Sequence, residues 1–318
     1  MYPLLLSSTL KDYLWGGNRL KTEYGFKSDF EKIAEAWVLS CHEGDESTVL
    51  NGELKGKTLN EAISIFGKDC LGKNCEKFEY FPLLIKLIDA KQKLSIQVHP
   101  DDDYSTKNEG EYGKTEMWYI VDCEDNAKLI YGLDREVSKE ELEKYINEDR
   151  ITEICKYVPV KKGDVFFIPA GTVHAIGEGI LIAEVQQNSN ITYRVSDYGR
   201  LGADGKPREL HKQKALDVIN LSPTPQNTEN SNASHKISGG VLHDLAKCKY
   251  FTAQCLELDG NTELCNEDSF MSVLILEGNG KLRYQNSVIE FSKGYSFFVP
   301  ANIKYTLNGN AKILLSQV

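Results

Sequence analysis

One apolar run between a glycine and a proline decides the fold of this chain: Gly163-Asp-Val-Phe-Phe-Ile-Pro-Ala-Gly-Thr-Val-His174. The run is β-rich, the proline and second glycine turn the chain, and a histidine closes the segment. Upstream, Leu94-Ser-Ile-Gln-Val-His-Pro100 alternates apolar and polar residues, which predicts a strand. Side chains two apart on a strand point to the same face, so Gln97 and His99 lie side by side. These spacings are those of a small β-barrel.

Glu116 completes a candidate set of metal ligands. It begins a second β-rich run, and its carboxylate joins the imidazoles of His99 and His174. Such a set suits a divalent transition metal, usually zinc or iron. Two alternatives stay open. Gln97 can ligate the metal or orient a ligand through a hydrogen bond, and Glu116 can instead pair with Lys114 on the same strand face.

The composition limits the kind of partner. With 318 residues, 41% of them hydrophobic and 26% charged, the chain can form two or more compact units. Its net charge of −10 argues against general nucleic-acid binding. An anionic ligand would therefore need positive charge concentrated near the ligand set. The basic residues near that set are Lys86, Lys91, Lys93, Lys114, Arg194 and Arg200.

The cysteines and the apolar runs predict where in the cell the protein is located. The eight cysteines form no C-x-x-C pair, which fits reduced thiols in a cytoplasmic enzyme. Residues 1–8 are too short and lack the basic flank of a signal peptide. No apolar run approaches the ~20 residues of a membrane helix. We expect a cytoplasmic monomer or weak homodimer that acts on a small molecule, without nucleic-acid or membrane partners.

Strand signals dominate the chain, and helices are few. The predicted strands are 83–89, 94–99, 116–121, 128–132, 165–168 and 180–186. Capping boxes predict helices that begin at Ser28, Thr58 and Ser138. The predicted helices are 28–36, 58–66, 138–148 with a continuation toward Tyr157, and 209–219.

A polar stretch divides the chain. Residues 222–234, Ser-Pro-Thr-Pro-Gln-Asn-Thr-Glu-Asn-Ser-Asn-Ala-Ser, have little to bury. We therefore predict a metal-binding catalytic barrel with helical insertions over 1–221, a polar linker or loop over 222–236 and a second barrel over 237–318.

The second part repeats a pattern of the first. The spacing Gly163-x5-Pro169 recurs as Gly294-Tyr-Ser-Phe-Phe-Val-Pro300. Five residues past the proline stands His174 in the first copy and Tyr305 in the second. A chance recurrence of glycine and proline is the weaker explanation, because the Phe-Phe pair recurs as well. The fold class predicted is mainly β: two barrels with a few short helices inserted, the second degenerate and without metal.

Several segments of the chain resemble type I phosphomannose isomerase, a family of zinc-dependent cupins, whose barrels are jelly rolls. The pattern Gly-x5-Pro-x-Gly-x2-His is the second cupin signature, and Gln97-x-His99 stands in for the His-x-His of the first. The other matching segments are Leu94-Ser-Ile-Gln-Val-His-Pro-Asp-Asp102, Lys114-Thr-Glu-Met-Trp-Tyr119, Pro169-Ala-Gly-Thr-Val-His-Ala175, Tyr13-Leu-Trp-Gly-Gly17, Glu35-Ala-Trp37 and Glu184-Val-Gln-Gln-Asn-Ser-Asn-Ile-Thr-Tyr-Arg194. The resemblance covers residues 13 to about 215, and the chain length is that of the compact bacterial branch.

The resemblance implies an isomerase that interconverts mannose 6-phosphate and fructose 6-phosphate with one zinc ion per chain. The zinc ligands that it implies are Gln97, His99, Glu116 and His174. Arg194 matches the family's catalytic arginine, and Lys114 matches its active-site lysine. Ser95 and Arg200 fall where the family contacts the substrate phosphate, Arg200 standing where lysine is usual in longer relatives.

The base that moves the C–H proton stays open. Isomerisation passes through a cis-enediol, and its base could be Lys114, Glu184 or a zinc-bound hydroxide. Two other functions also stay open: another metal cupin, such as a dioxygenase or a different sugar-phosphate isomerase, and a non-catalytic sugar-binding cupin.

Overall fold

Antiparallel strands build almost the whole molecule. The computed structural model describes residues 1–202, 205–224 and 233–318. Over this part of the chain the strands are β1 (Leu4–Ser7), β2 (Thr9–Lys11), β3 (Glu35–Leu39), β4 (Thr48–Val49), β5 (Leu83–Ala90), β6 (Ile96–Val98), β7 (Glu116–Cys123), β8 (Lys128–Leu133), β9 (Cys155–Pro159), β10 (Val165–Ile168), β11 (His174–Ala175), β12 (Ile180–Gln187), β13 (Tyr193–Ser196), β14 (Ser234–Ile237), β15 (Gly240–Lys247), β16 (Thr252–Leu264), β17 (Met271–Tyr284), β18 (Ser287–Ser292), β19 (Ser296–Val299) and β20 (Tyr305–Gln317).

Two of the three sheets form the first barrel. One has six strands in the order β10-β7-β12-β5-β3-β2, and the other has five in the order β13-β6-β11-β8-β9. Apolar side chains of both sheets share one buried cluster, with Trp118 and Ile182 from the first and Leu129 and Tyr131 from the second. Two antiparallel sheets packed face to face around such a cluster are a jelly roll.

The six-stranded sheet is buried on both faces. Along β5, β7 and β12, every residue from 83 to 90, from 116 to 121 and from 180 to 187 is buried. Side chains alternate between the faces of a strand. Even-numbered residues of these strands therefore face the barrel interior, whereas odd-numbered ones, such as Leu87 and Val185, enter an apolar cluster shared with the second barrel.

The second barrel is a nine-stranded sheet. Its order is β14-β15-β16-β20-β17-β19-β1-β4, with β18 paired to β17. Strand β19 carries the repeated Phe-Phe pair. Tyr305 begins β20 as His174 begins β11, but Tyr305 is buried in an apolar cluster with Phe297, Leu307 and Ile313. The two-barrel, mainly β fold class predicted from the sequence is confirmed.

The first residues of the chain belong to the second barrel. Strand β1 pairs with β19, with Leu4 opposite Phe298, although the predicted division assigned it to 1–221. Residues 234–236 of the predicted linker lie in β14, and residues 225–232 lie outside the described part. The division at residues 222–236 stays a prediction. Strands β1 and β4 precede it in the chain but belong to the sheet of the second barrel.

Helices occupy connections between strands. In the described ranges they are α1 (Arg19–Thr22), α2 (Leu59–Phe66), α3 (Asp102–Asn108), α4 (Lys139–Asn147) and α5 (Lys212–Val218). The 3₁₀ turns there are Lys68–Leu71, Lys73–Cys75 and Ile151–Glu153. Helix α2 has the predicted capping box, since Thr58 and Glu61 each bond the other's backbone amide. None of these helices is long and apolar enough to cross a membrane.

Two helix predictions are wrong in part or whole. The helix predicted over 28–36 does not form. The Ser28 hydroxyl accepts a hydrogen bond from the backbone of Phe30, and Glu35–Leu39 is a buried strand, so sheet pairing overrides the local capping signal. Helix α4 stops at Asn147 instead of continuing toward Tyr157, because Asp149 has a positive φ of 53° and Tyr157 lies in β9.

Candidate metal centre and active site

Three predicted ligands meet at the mouth of the first barrel. Glu116 begins β7 of one sheet, His174 begins β11 of the other, and His99 follows β6. The His99 and His174 Nε2 atoms lie 3.1 Å apart, and His99 Nε2 lies 3.2 Å from Glu116 Oε1. Ligand atoms of all three lie within 4.8 Å of one another, and the side chains are at most 1% exposed.

The geometry fits a tetrahedral metal. Two nitrogens bound to zinc at about 2.0–2.1 Å stand roughly 3.3 Å apart, close to the observed separation of the two Nε2 atoms. The Nδ1 of His174 lies 2.8 Å from the carbonyl oxygen of Thr172. With the proton on Nδ1, this contact turns the Nε2 lone pair toward the other ligands.

The electrostatics also fit a metal. Burial, and then the Lys114 ammonium, lower the pKa of His99 to about 3 despite the nearby Glu116 carboxylate. Burial likewise lowers the pKa of His174. Burial opposes ionisation of Glu116, but Lys114 and the histidines hold the pKa of this carboxyl well below its usual range. Neutral imidazoles and an ionised carboxylate are the states that ligate a metal.

Gln97 lies beside this centre. It is opposite His174 in the pairing of β6 with β11, and its amide Nε2 is 3.3 Å from His174 Nε2. At this distance the amide can either join the ligands or hydrogen-bond one of them. Direct ligation by Gln97 stays a prediction.

A polar cavity of about 310 Å³ opens beside the ligands. Its lining is mostly charged or polar and comes from both sheets. The lining residues are Tyr13, Trp15, Glu35, Lys86, Ile88, Leu94, Ser95, Gln97, Lys114, Ile176, Glu184, Asn190, Thr192, Arg194 and Arg208. The cavity thus contains the predicted catalytic residues Arg194, Lys114 and Glu184, together with Ser95.

A row of side chains crosses the cavity wall. Strand register places Trp37, Lys86, Glu184 and Trp118 opposite one another on four adjacent strands. The Lys86 Nζ lies 3.3 Å from Glu184 Oε1 and 3.9 Å from Glu35 Oε2. Alternation along the strands puts these charged groups inside the barrel, where they neutralise one another.

Glu184 is held in place and is easily protonated. The Trp118 indole N–H lies 2.8 Å from Glu184 Oε2 and 3.1 Å from Glu116 Oε2, so one donor serves both carboxylates. Burial and the charge of Glu116 raise the pKa of Glu184 to about 7, against the effect of Lys86. Lys114 instead approaches Glu116, with its Nζ 3.0 Å from Oε1. The ion pair considered for Glu116 therefore exists beside the ligand cluster.

Two arginines, Arg194 and Arg208, line the cavity, and Arg194 stands opposite Gln97 in the pairing of β13 with β6. Arg194 Nη1 donates to the carbonyl of Glu209 at 2.9 Å, and its buried Nε has no hydrogen-bond partner among the described residues. Arg208 donates through Nε to Asp197 at 2.8 Å. Burial and the neighbouring guanidinium of Arg208 lower the pKa of Arg194. Such a pair of arginines attracts an anion.

Arg200 does not line this cavity. Its guanidinium is held by Asp197 and by the carbonyl of Lys93, and it lies over the ring of Tyr198. Arg208, which was not predicted from the sequence, lines the cavity instead. The only sequence signal for Arg208 was its charge, because it lies in an irregular connection with no periodicity.

The other predicted basic residues also differ in whether they enter the cavity. Lys86 and Lys114 enter the cavity. Lys91 pairs with Glu124 at the surface, and Lys93 lies over Tyr198. A jelly roll with two histidines and a carboxylate at its mouth, open to a polar cavity, defines a cupin with a candidate metal centre.

Comparison with known proteins shows which family of cupins this chain resembles. Residues 4–123 match the model of the phosphomannose isomerase type I catalytic domain, and residues 242–318 match that of the mannose-6-phosphate isomerase cupin domain. The chain belongs to the type I phosphomannose isomerase family. Mannose-6-phosphate isomerase ManA of Bacillus subtilis is 38% identical over 99% of both chains, and the mannose-6-phosphate isomerase of Streptococcus mutans is 36% identical over 99% of this chain and 98% of the relative.

Solved structures agree with the architecture. The crystal structure of mannose 6-phosphate isomerase from Bacillus subtilis superposes with a TM-score of 0.93 at 36% identity, covering all of both chains. A zinc-bound mannose 6-phosphate isomerase at 18% identity, with a TM-score of 0.78 over 99% of both chains, shares the fold.

Proposed function

We propose that the protein is an aldose–ketose isomerase that interconverts mannose 6-phosphate and fructose 6-phosphate with one zinc ion. The observation that carries this proposal is a candidate metal centre next to a cavity that contains two arginines. His99, Glu116 and His174 converge beside the cavity, whose lining includes Gln97, Arg194 and Arg208. A metal beside an anion site suits a phosphorylated sugar whose reacting carbons reach the metal.

The reaction moves a proton between C1 and C2 while the carbonyl and hydroxyl exchange places. Negative charge builds up on oxygen in the enediol, and stabilising that oxygen lowers the barrier. A zinc ion held by His99, Glu116 and His174 would supply Lewis-acid stabilisation of this charge. Arg194 adds a second source of stabilisation, since its buried Nε is free to donate to a developing oxyanion.

Two side chains are candidates for the base. Glu184 lines the cavity, and its pKa of about 7 matches the range in which a carboxylate both takes and returns a proton near neutral pH. Lys114 lies next to the ligand Glu116, with which it shares an ion pair. The pKa of about 7 favours Glu184 as base, with Lys114 delivering a proton to oxygen.

We assign the phosphate to the part of the cavity wall formed by Ser95 and Arg208. Ser95 lies one residue before β6, is buried and lines the cavity, as does Arg208. Arg200 supports this end indirectly, because it shares the Asp197 carboxylate with Arg208. Ser95 and Arg208 are therefore the proposed phosphate contacts, and Arg200 becomes a residue that orients Arg208.

Two matched arginine variants test this assignment. Replacing Arg208 by methionine should raise KM for mannose 6-phosphate by about 10- to 100-fold, the value of one charge-assisted contact. Replacing Arg200 by methionine should change KM by less than about threefold, because its guanidinium is held outside the cavity and Arg208 keeps two hydrogen bonds of its own to Asp197. Steady-state kinetics measure both, and a larger effect from Arg200→Met would return the phosphate role to Arg200.

The isomerase activity itself has a direct test. Purified protein loaded with zinc should convert mannose 6-phosphate to fructose 6-phosphate in a coupled assay, and should lose this activity on complete chelation and regain it with zinc. Unphosphorylated mannose should be a poor substrate. Absence of turnover by the loaded protein, with binding retained, would favour a sugar-binding cupin. Oxygen uptake with bound iron would favour a dioxygenase.

The cellular setting follows the sequence prediction. All eight cysteines, each within the described ranges, are free thiols, which supports a reducing, cytoplasmic location. A monomer or weak homodimer is the proposed assembly.

A further inference from the structure

We propose that Tyr250, on a turn of the second barrel, is a positioning residue for the isomerisation. Through Asp102 and Gln187 it holds the backbone of residues 113–115, and with that backbone the Lys114 side chain at the metal centre. The second barrel would thereby take part in building the active site of the first. The role deepens the proposed isomerase function and rests on it.

The arrangement begins with one carboxylate shared by three donors. The Tyr250 hydroxyl donates to Asp102 Oδ2 at 2.6 Å. The backbone N–H of Gly113 and the side-chain amide of Gln187 donate to Asp102 Oδ1 at 2.9 and 2.8 Å. Burial opposes ionisation of Asp102, but these donors lower the pKa of its carboxyl, led by Tyr250. Asp102 therefore stays charged and accepts all three bonds.

Three consecutive amides are held from outside their own segment. Gly113 donates to Asp102, and Lys114 donates its backbone N–H to the carbonyl of Pro100 at 3.0 Å. Thr115 donates to Gln187 Oε1 at 2.9 Å, and the same Gln187 binds Asp102. A segment held at every residue has little freedom to shift.

The approach of the two chain segments is close. A Cβ at Gly113 would collide with the backbone of Asp101 and Asp102, so this glycine lets the segment lie directly against the start of α3. Lys114 is 4% exposed, and its Nζ lies 3.0 Å from Glu116 Oε1. A small displacement of residues 113–115 would therefore move the lysine relative to the ligand cluster.

The anchor on the second barrel is firm. The turn between β15 and β16 is closed by a bond from the Cys248 amide to the carbonyl of Phe251, at 2.9 Å. Phe251 is 1% exposed and packs against the ring of Phe167 in the first barrel. Lys77 donates to the carbonyl of Lys249 at 2.7 Å. Tyr250 thus stands on a turn that both barrels hold.

The test removes one hydroxyl. In Tyr250→Phe, backbone amide exchange in a peptide covering residues 113–115 should speed up, while the zinc content stays unchanged. The kcat for mannose 6-phosphate should fall by about five- to tenfold with KM unchanged, since displaced catalytic groups lose rate and not ground-state binding. Tyr284→Phe is the matched control, because this hydroxyl of the second barrel contacts the carbonyl of Met1 and the Gln285 amide, and Tyr284 is not among the residues that line the cavity.

A double-mutant cycle separates positioning from general loosening. In the Lys114→Met background, Tyr250→Phe should leave the residual kcat unchanged, because the group that it positions is gone. Unchanged amide exchange in Tyr250→Phe would overturn the inference whether or not the enzyme is active. So would an equal fall in kcat in both backgrounds. A zinc-loaded wild-type protein without isomerase activity would instead overturn the proposed function, while the amide exchange still decides whether Tyr250 holds the segment.

Discussion

Replacing His174 by alanine should leave the protein folded but without bound zinc and without more than about a thousandth of its isomerase activity. His174 is fully buried, and its Nε2 lies 3.1 Å from His99 Nε2 and 3.8 Å from Glu116 Oε2, so its removal takes one of the three clustered ligands away from the centre. Lewis-acid stabilisation is worth several kcal/mol, and each 1.36 kcal/mol is tenfold in rate, which leads to a loss of about 10³-fold or more. Metal analysis and the coupled assay on one preparation measure both effects.

The second barrel offers a matched histidine. His243 contacts Ser234 and Glu257 on the surface of the nine-stranded sheet, so His243→Ala should keep both the zinc and the activity. Circular dichroism and a thermal melt of His174→Ala show whether the fold persists. Stoichiometric zinc with wild-type kcat in His174→Ala would contradict the proposed ligand set.

Replacing Arg194 by alanine should lower kcat by about 10²- to 10³-fold and change KM much less. This magnitude is that of removing one donor to a developing oxyanion in a site that excludes water. The guanidinium is oriented by the carbonyl of Glu209, and its buried Nε remains free for the substrate. An interaction that forms only as charge develops appears in kcat and not in KM.

A lysine variant at this position separates the effect of the charge from that of the planar donor set. Arg194→Lys keeps the charge but loses the planar set of donors, so it should recover only part of the lost kcat. Steady-state kinetics of the two variants, with Arg208→Met beside them, separate the two arginines of the cavity. A normal kcat with a raised KM in Arg194→Ala would make Arg194 a substrate-binding residue.

The metal centre was the part of the site that sequence could predict well. Gln97 and His99 stand two apart in a run with clear alternation, which a strand turns directly into a shared face, and Glu116 and His174 begin β7 and β11. The proline and glycine of the second cupin signature also predict where the chain turns. Local rules therefore account for the pair Gln97 and His99, whereas His174 joins them through the pairing of β11 with β6 and Glu116 comes from the other sheet.

The residues proposed to bind the phosphate were harder to predict from the sequence, for a physical reason. Arg200 and Arg208 lie in a connection between β13 and α5 whose path follows from its contacts with Asp197 and Tyr198, and not from any periodicity. Both arginines carry the same charge, so composition cannot tell which one enters the cavity. Only the folded chain distinguishes them.

Long-range pairing also limited the prediction of the fold. The helix expected over 28–36 had a correct capping pattern, but the strand that begins at Glu35 gains a place between β2 and β5 in a buried sheet. Strand β1 pairs with β19, almost 300 residues away, and nothing in Leu4–Ser7 itself indicates this partner. Sequence patterns describe which faces are apolar but not which distant strand covers them.

The burial of the six-stranded sheet on both faces has a consequence for inheritance. One face of β5, β7 and β12 carries the catalytic groups, and the other, with Leu87 and Val185, packs in an apolar cluster that includes Leu274 and Leu314 of the second barrel. A gene fragment encoding the catalytic barrel alone would expose that apolar wall. The two halves are therefore expected to be inherited together, because the second barrel keeps this apolar wall out of water.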